Sequence, residues 1–487
     1  MAILAESFFL DPKHQGTLQN QIRELVTDGI LSGRFKPGQR MPSSRKLAAH
    51  LGVSRITVTL AYTDLVADDY LTARGRSGFF VSHTAPVPQS FGQRPARRVD
   101  AVDWSRALGQ RFSDVTSMGK PDDWRAFRFP FVYGQADPTL FDHQNWRSCT
   151  MMALGQKDFP ALTDDYFERD DPRLVEYIAR HSLPRRGILA PPEEIIVTMG
   201  AQNAIWLAAQ VLLNQRRTAA IEEPCYPGLR DILNQTRCRL LPVQIGEHGL
   251  EPQDLPERVD VVFCTPSHHC PTGRTMPLHQ RQELLSLASE REFLVVEDDY
   301  DFEIPGRRPP LPSLKSLDRE GRVIYVGSFS KSLFPGLRLG YLAGPVPFIR
   351  EARALRGTVL RHPPGLMQRT AAYFLSLGHY DALIRRLGNT YAERRRVAIE
   401  AIEAHGLTVV GEGGSSIWLR APEGVDTQKV ARSLYEESVL IEAGHPFFSG
   451  ADKPKNFYRL AYSSIAAERI PEGIARLSAA LKRESGS

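Results

Sequence analysis

The segment GSFSKSLFPGLRLGYL sets Lys331 just beyond an apolar run, between Ser328 and Ser330 on one side and Arg338 seven residues on. A lysine amine among hydroxyls and a guanidinium suits a Schiff base formed beside a bound phosphate. A lone lysine after a strand is most often solvated, so the assignment rests on its company. In EDDYDFE, Asp298 ends the run FLVV, where a carboxylate is costly without a cation. A pyridinium nitrogen is such a cation, and the ion pair keeps the ring protonated as an electron sink. Tyr300 is placed to hydrogen-bond a phenolic oxygen of the same ring, and Tyr226, in EEPCYPG, to stack on its face. The amides of Gly200, Ala201 and Gln202 open the pattern AIWLAAQVLL and offer a phosphate nest. An Asp298–Asp299 metal pair and a packing role for Tyr226 are the plainer readings, but neither accounts for the lysine, the arginine and the helix start together. No metal site is expected.

The elements that must position these groups are legible as short apolar runs: EEIIVTMG, RTAAIEEP, RVDVVFCTP, REFLVVEDD, RVIYVGSFSK and RLGYLAGP. Runs of about four apolar residues separated by amphipathic helices predict an α/β body with a mixed, mostly parallel sheet covered on both faces. Gly200, Tyr226, Ser267, Asp298 and Lys331 each come just past such a run. In open α/β sheets the ligand crevice lies outside the carboxyl ends of the strands, so the five are expected to converge.

A different texture precedes this body. Residues 1–98 carry 13 Lys+Arg and 7 Asp+Glu, whereas the remaining 389 carry 48 and 49, so the whole +5 net charge of the 487-residue chain resides in its first fifth. That asymmetry suggests a polyanion-binding module on a neutral body. MPSSRKLAAHLGVSRITVTLAYTDLVADDYL reads as two helices joined by a tight turn: Ser43 caps the first, Gly52 permits the turn, and Ser54 caps the second. Val58, Ala61, Tyr62 and Leu65 fall at i, i+3, i+4 and i+7 and face inward, leaving Arg55 and Thr57 outward. This is helix-turn-helix spacing, and LTARGRSGFFV after it reads as a β-wing with Arg74 and Arg76 along phosphates or in the minor groove. The predicted domains are residues 1–83 for the winged helix-turn-helix, 84–125 for a linker rich in Pro, Gln and Arg, and 126–487 for the α/β body with a small C-terminal subdomain.

The first region resembles the GntR-type winged helix through PGQRMPSSRKLAAHLGVSRITVTLAYTDL and RGRSGFFV. That resemblance implies Ser44, Arg45, Arg55, Thr57 and Arg76 as DNA contacts. The body resembles the fold-type I aminotransferases that use pyridoxal 5'-phosphate, and the chain as a whole looks like a MocR-type transcription regulator. The resemblance implies that Lys331 forms the internal aldimine, Asp298 pairs with the ring nitrogen, Tyr300 contacts the ring oxygen, and Ser328, Ser330 and Arg338 bind phosphate. Arg459, in FYRLAYSS, matches the arginine that receives a substrate carboxylate. The implied function is a regulator that binds operator DNA as a homodimer and senses a small amino acid or aminosulfonate as an external aldimine, with at most residual transaminase activity. Taurine, GABA and ectoine-derived diamino acids are the candidate effectors. A working aminotransferase with a DNA-binding appendage and a sensor of the cofactor itself are the competing readings.

Three departures from the aminotransferase pattern stand out. Cys270 replaces the Asn before PTG, so His269 or His268 is expected to take over the ring contact. Gly228 stands where the GABA-responsive member of the family has an effector-binding arginine. DDYFERDDPRL replaces the Tyr-Gly-Asp-Pro segment, leaving Tyr166 as the expected phosphate contact to a partner subunit. Five cysteines without a CxxC pair, no basic leader before an apolar stretch and no run long enough to span a bilayer predict a cytoplasmic protein.

Overall fold

The computed structural model describes residues 2–12, 14, 16–86, 102–109, 112–113, 120–135, 137–165, 168–301 and 311–486. The chain divides into two units, Met1–Arg111 and Phe112–Ser487. Much of the predicted linker, and Tyr166, lie outside the described residues. Among those described, no helix is long and apolar enough to cross a membrane.

The first unit consists of α1 (Leu18–Leu31), α2 (Ser44–Leu51), α3 (Arg55–Ala67) and a hairpin, β1 (Leu71–Ala73) with β2 (Phe79–Val81). Each helix begins where a hydroxyl accepts an otherwise orphaned amide: Thr17 from Asn20, Ser43 from Lys46 and Ser54 from Thr57. Gly52, at φ 66°, ends α2 in the left-handed conformation that turns the chain into α3. The predicted inward stripe Val58, Ala61, Tyr62 and Leu65 is buried against Ile22, Val26 and Leu47. Tyr62 donates its hydroxyl to the carbonyl of Pro42 at 3.1 Å, so the buried phenol is satisfied. The hairpin pairs Leu71 with Val81 in antiparallel register, giving a winged helix-turn-helix.

In the second unit a two-residue strand, β3 (Phe129–Pro130), pairs in parallel with β13 (Val439–Leu440). The main sheet contains β4 (Ile195–Thr198), β5 (Thr218–Glu223), β6 (Arg239–Gln244), β7 (Val261–Cys264), β8 (Leu294–Asp298), β9 (Val323–Ser328) and β10 (Gly340–Ala343). Their order across the sheet is β4-β10-β9-β8-β7-β5-β6. Only β10 runs against its neighbours. Alternate residues of one strand enter different cores: on β9, Ile324 and Val326 join one cluster while Val323 and Tyr325 join two others. That two-sided burial is why these strands read as unbroken apolar runs. The edge strand β6 was not among those runs: RLLPVQ exposes Arg239, Pro242 and Gln244, and only an edge tolerates its proline. A smaller antiparallel sheet follows, β11 (Thr408–Gly413), β12 (Ser416–Arg420), β15 (Phe457–Ala461) and β14 (Glu442–Ala443) in that order. It forms the C-terminal subdomain of a fold-type I architecture.

Candidate functional site

The acidic run at the end of β8 is sorted by the two-residue period of a strand. Glu297 is buried and accepts the amides of Leu314 and Lys315, both at 2.9 Å. Asp299 accepts Arg186 Nε at 2.6 Å and the hydroxyl of Tyr325 at 2.9 Å. The same arginine donates Nη2 to Ser267 Oγ at 2.7 Å. Asp299 and Ser267 therefore belong to the scaffold, and the described residues contain no cluster suited to a metal. Asp298, between the two scaffold acids, is different: its Oδ1 is buried and has no hydrogen-bond partner. Burial, with Asp299 beside it, pushes Asp298 up to about 7, while Lys331 pulls it back. A carboxylate so placed calls for a cationic partner.

A narrow cavity lies against Asp298, lined by Glu222, Cys225, Tyr226, Thr265 and Cys270. Gly228 seats the Tyr226 ring, because a Cβ there would lie 2.6 Å from Tyr226 Cε1. The absence of an arginine at that position thus has a steric side: any side chain would displace the stacking tyrosine. Tyr300 donates its hydroxyl to the carbonyl of His268 at 3.0 Å.

The residues expected to bind phosphate converge at the start of the helix after β4, α4 (Ala201–Leu212). Gly200 caps it at φ 81°. A Cβ at Gly200 would lie 3.4 Å from Ser330 Oγ and 3.6 Å from the Arg338 guanidinium. Ser328 Oγ accepts the amide of Ser330 at 3.2 Å, whereas Ser330 Oγ is buried with no partner. A helix amino terminus, an orphaned hydroxyl and an arginine around a bare Cα form an anion cradle. Ala201 and Gln202 open the helix at its rim. With Asp298 at the other end of the crevice, these residues fit pyridoxal 5'-phosphate: a dianion at one end and a ring cation at the other.

Lys331 lies between those ends. Burial lowers its amine below the ordinary lysine value, with Asp301 opposing, a shift toward the nucleophilic neutral form. Its Nζ stands 4.3 Å from the ring centroid of Tyr133, and a Cβ at Gly134 would fall 2.1 Å from it. Gly134 takes φ 70°, a left-handed backbone that favours glycine.

Arg459 lies 4.0 Å from the same Tyr133 ring centroid and is 2% exposed. On β15 it faces Trp418 of β12 and Glu442 of β14. Nε donates to Glu442 at 2.7 Å, and one terminal nitrogen lies 3.9 Å from the Cys270 sulfur. Burial works against the charge, but Glu442 holds the guanidinium above its ordinary value. Glu442 and Tyr133 are the residues that the sequence reading missed. Tyr133 follows a short strand without a motif, and Glu442 is known only through cross-strand register.

His269 is turned elsewhere. Its Nδ1 lies 2.7 Å from Thr272 Oγ1 and its Nε2 3.6 Å from Glu222. Burial, reinforced by Arg274, drives the imidazole down to about 3, so it is neutral. Its Nε2 is buried without a hydrogen-bond partner among the described residues, and the neutral Cys270 thiol, not His269, lines the cavity.

In the first unit Ser44 opens α2, and its hydroxyl lies 3.5 Å from Arg55 Nε across the turn. Arg45 and Arg55 are exposed, and Thr57 shares its hydroxyl with Ser54 in the cap at 2.8 Å. Arg76 belongs to the short turn between β1 and β2, and its side chain lies outside what the structure describes.

Comparison with known proteins gives a family match at each end. Residues 18–81 match the bacterial regulatory proteins of the gntR family, and residues 163–477 match aminotransferase class I and II. The HTH-type transcriptional regulator TauR of Rhodobacter capsulatus is 57% identical over 486 residues, covering 99% of this chain and all of that one. The probable rhizopine catabolism regulatory protein MocR of Rhizobium meliloti is 29% identical, covering 97% of this chain and 95% of its own. Among solved structures, LysN, an alpha-aminoadipate aminotransferase from Thermus thermophilus complexed with N-(5'-phosphopyridoxyl)-L-leucine, superposes with a TM-score of 0.70 at 28% identity. It covers 79% of this chain and 100% of its own.

Proposed function

The chain belongs to the aminotransferase class I and II family and, through residues 18–81, to the gntR family of bacterial regulatory proteins, and from that premise we propose that it is a pyridoxal-phosphate-dependent transcription regulator whose second unit senses a small amino acid or aminosulfonate. The observation that carries the reading is the Tyr133 ring, with the Lys331 amine 4.3 Å and the Arg459 guanidinium 4.0 Å from its centroid. The sum of those distances caps the separation of the two cations, so a ligand bridging them is short: an amine at one end and a carboxylate or sulfonate at the other.

Bound pyridoxal phosphate supplies an aldehyde that condenses reversibly with primary amines. The chain's residues do the rest. Gly200, Ser330 and Arg338, with Ser328 behind them, hold the phosphate, and Ala201 and Gln202 complete the nest. Tyr226 covers the ring face, Asp298 pairs with the ring nitrogen, and Tyr300 lies near the ring oxygen. Lys331 offers the amine that the effector displaces. Arg459, oriented by Glu442, takes the effector's anionic end. Taurine, GABA and ectoine-derived diamino acids meet the requirement for an amine and a second polar end. Ser44, Arg45, Arg55, Thr57 and Arg76 contact operator DNA. A cytoplasmic homodimer is the expected form, because operator half-sites need two winged helices.

The test couples both units. Cofactor-loaded full-length protein is titrated with a panel of amino acids and aminosulfonates, following the cofactor absorbance, and operator affinity is then measured with and without each ligand. The reading expects one ligand class to shift both signals. Sustained turnover with an α-keto acid at ordinary enzyme rates would overturn it in favour of a working aminotransferase. A response of DNA binding to cofactor alone would favour a cofactor sensor.

A further inference from the structure

On α3 the residues facing away from the core are Ile56, Thr59, Leu60 and Thr63, spaced i, i+3, i+4 and i+7, so they form one stripe. Ile56 is 71% exposed and Leu60 47%. Scattered exposed aliphatics need no explanation, but here the polar atoms of the stripe are already engaged. Thr59 donates its hydroxyl to the carbonyl of Arg55 and Thr63 to that of Thr59, each at 2.9 Å. The hydroxyl of Thr57 is held by Ser54 in the cap. With the hydroxyls turned to the helix's own backbone, the stripe presents two branched aliphatic chains.

The chemistry of the neighbourhood fixes the occupant. Arg45 and Arg55 are exposed at the amino-terminal ends of α2 and α3, and the excess positive charge of the chain is carried by residues 1–98. These charges fit a polyanion at this face. Among the base edges displayed in the major groove, thymine alone offers an apolar group, its C5 methyl; the others offer hydrogen-bond donors and acceptors.

We propose that Ile56 and Leu60 read thymine methyl groups in the operator, so that base selectivity at the centre of α3 comes from apolar contact while Arg45 and Arg55 supply phosphate or guanine contacts at its edge. This rests on the DNA-binding role of the first unit and adds which feature of the sequence is read.

The experiment uses the full-length protein. Operators are first selected from a random duplex library. Each thymine of the enriched site is then replaced singly by deoxyuridine, which removes the methyl and leaves pairing and hydrogen-bonding groups unchanged. Wild type is expected to lose about fourfold in affinity at one or two thymines per half-site, the worth of one buried methyl. Ile56→Ala or Leu60→Ala, exposed positions where alanine favours the helix, should bind the thymine and uracil versions equally at the position each contacts. Uniform tolerance of deoxyuridine by wild type, or a penalty retained in both variants, overturns the inference while leaving DNA binding intact. A change in oligomeric state of Ile56→Ala without DNA assigns the stripe to a second copy and also overturns it. Failure to enrich any sequence speaks instead against the DNA-binding reading.

Discussion

Replacing Arg459 separates recognition of the effector's anionic end from binding of its amine. Nε of Arg459 is committed to Glu442 at 2.7 Å, and the contact of a terminal nitrogen with the Cys270 sulfur, at 3.9 Å, is too long to compete with an oxyanion. Two terminal nitrogens are therefore left for a carboxylate or sulfonate. Each charge-assisted hydrogen bond is worth about 1.5–3 kcal/mol, so Arg459→Ala should weaken the best amino acid or aminosulfonate by roughly a hundredfold or more. Arg459→Lys keeps a point charge but cannot serve Glu442 and the ligand together; a loss of about 2 kcal/mol, roughly thirtyfold, is expected. The assay is an absorbance titration of the cofactor-loaded protein, run in parallel with ethylamine, which has no anionic end. Ethylamine affinity should be unchanged in both variants. A double variant, Arg459→Met with Glu442→Gln, removes the orphaned carboxylate and should lose as much for the anionic ligand as Arg459→Ala. Anionic-ligand affinity within threefold of wild type, or an equal loss for ethylamine, would refute the assignment.

Three further outcomes follow from the geometry. Gly134→Ala puts a Cβ 2.1 Å from Lys331 Nζ at a residue with φ 70°; the amine must move aside, and pyridoxal phosphate affinity, read by absorbance titration, should fall. Ser54→Ala removes the cap of α3, costs about 1 kcal/mol, and should speed hydrogen exchange of the first α3 amides about fivefold. His269 resists protonation down to about 3 while an unfolded histidine accepts a proton near 6.5. The stability it supports is therefore present above pH 6.5 and lost as pH falls toward 3. Between pH 7 and 5 the loss from this residue is about 2 kcal/mol, and His269→Gln should flatten the unfolding profile of the second unit across that window.

The groups that act locally along the chain were readable in advance. Lys331 and Gly200 follow, and Asp298 ends, a strand buried on both faces, and such strands announce themselves as apolar runs with their carboxyl ends marked. The caps at Ser43 and Ser54 and the turn at Gly52 act within four residues, so their chemistry is visible in the local sequence. What escaped depends on distant pieces of chain. Glu442 meets Arg459 only because β14 pairs with β15 in one register. Tyr133 reaches Lys331 across 198 positions of sequence. The division of labour in the acidic run also needed the fold: which acids of Glu297, Asp298 and Asp299 face scaffold partners depends on where Arg186 and the amides of Leu314 and Lys315 arrive.

The segment that carries Tyr133 is also the chain that leads back toward the DNA-reading unit. It is fastened to the C-terminal subdomain by Phe129 N to Ser438 O at 3.0 Å, Phe131 N to Leu440 O at 2.9 Å, Ser464 Oγ to Pro130 O at 2.9 Å and Ser463 Oγ to Gln135 O at 2.8 Å, with Phe129 and Phe131 buried in the core. Three residues separate the first of these from the ring that touches both cations. One short strand thus sets the position of the ring that touches both cations. The spacing of the Lys331 amine and the Arg459 guanidinium about the Tyr133 ring is therefore inherited from the pairing of β3 with β13, two strands more than 300 positions apart in sequence.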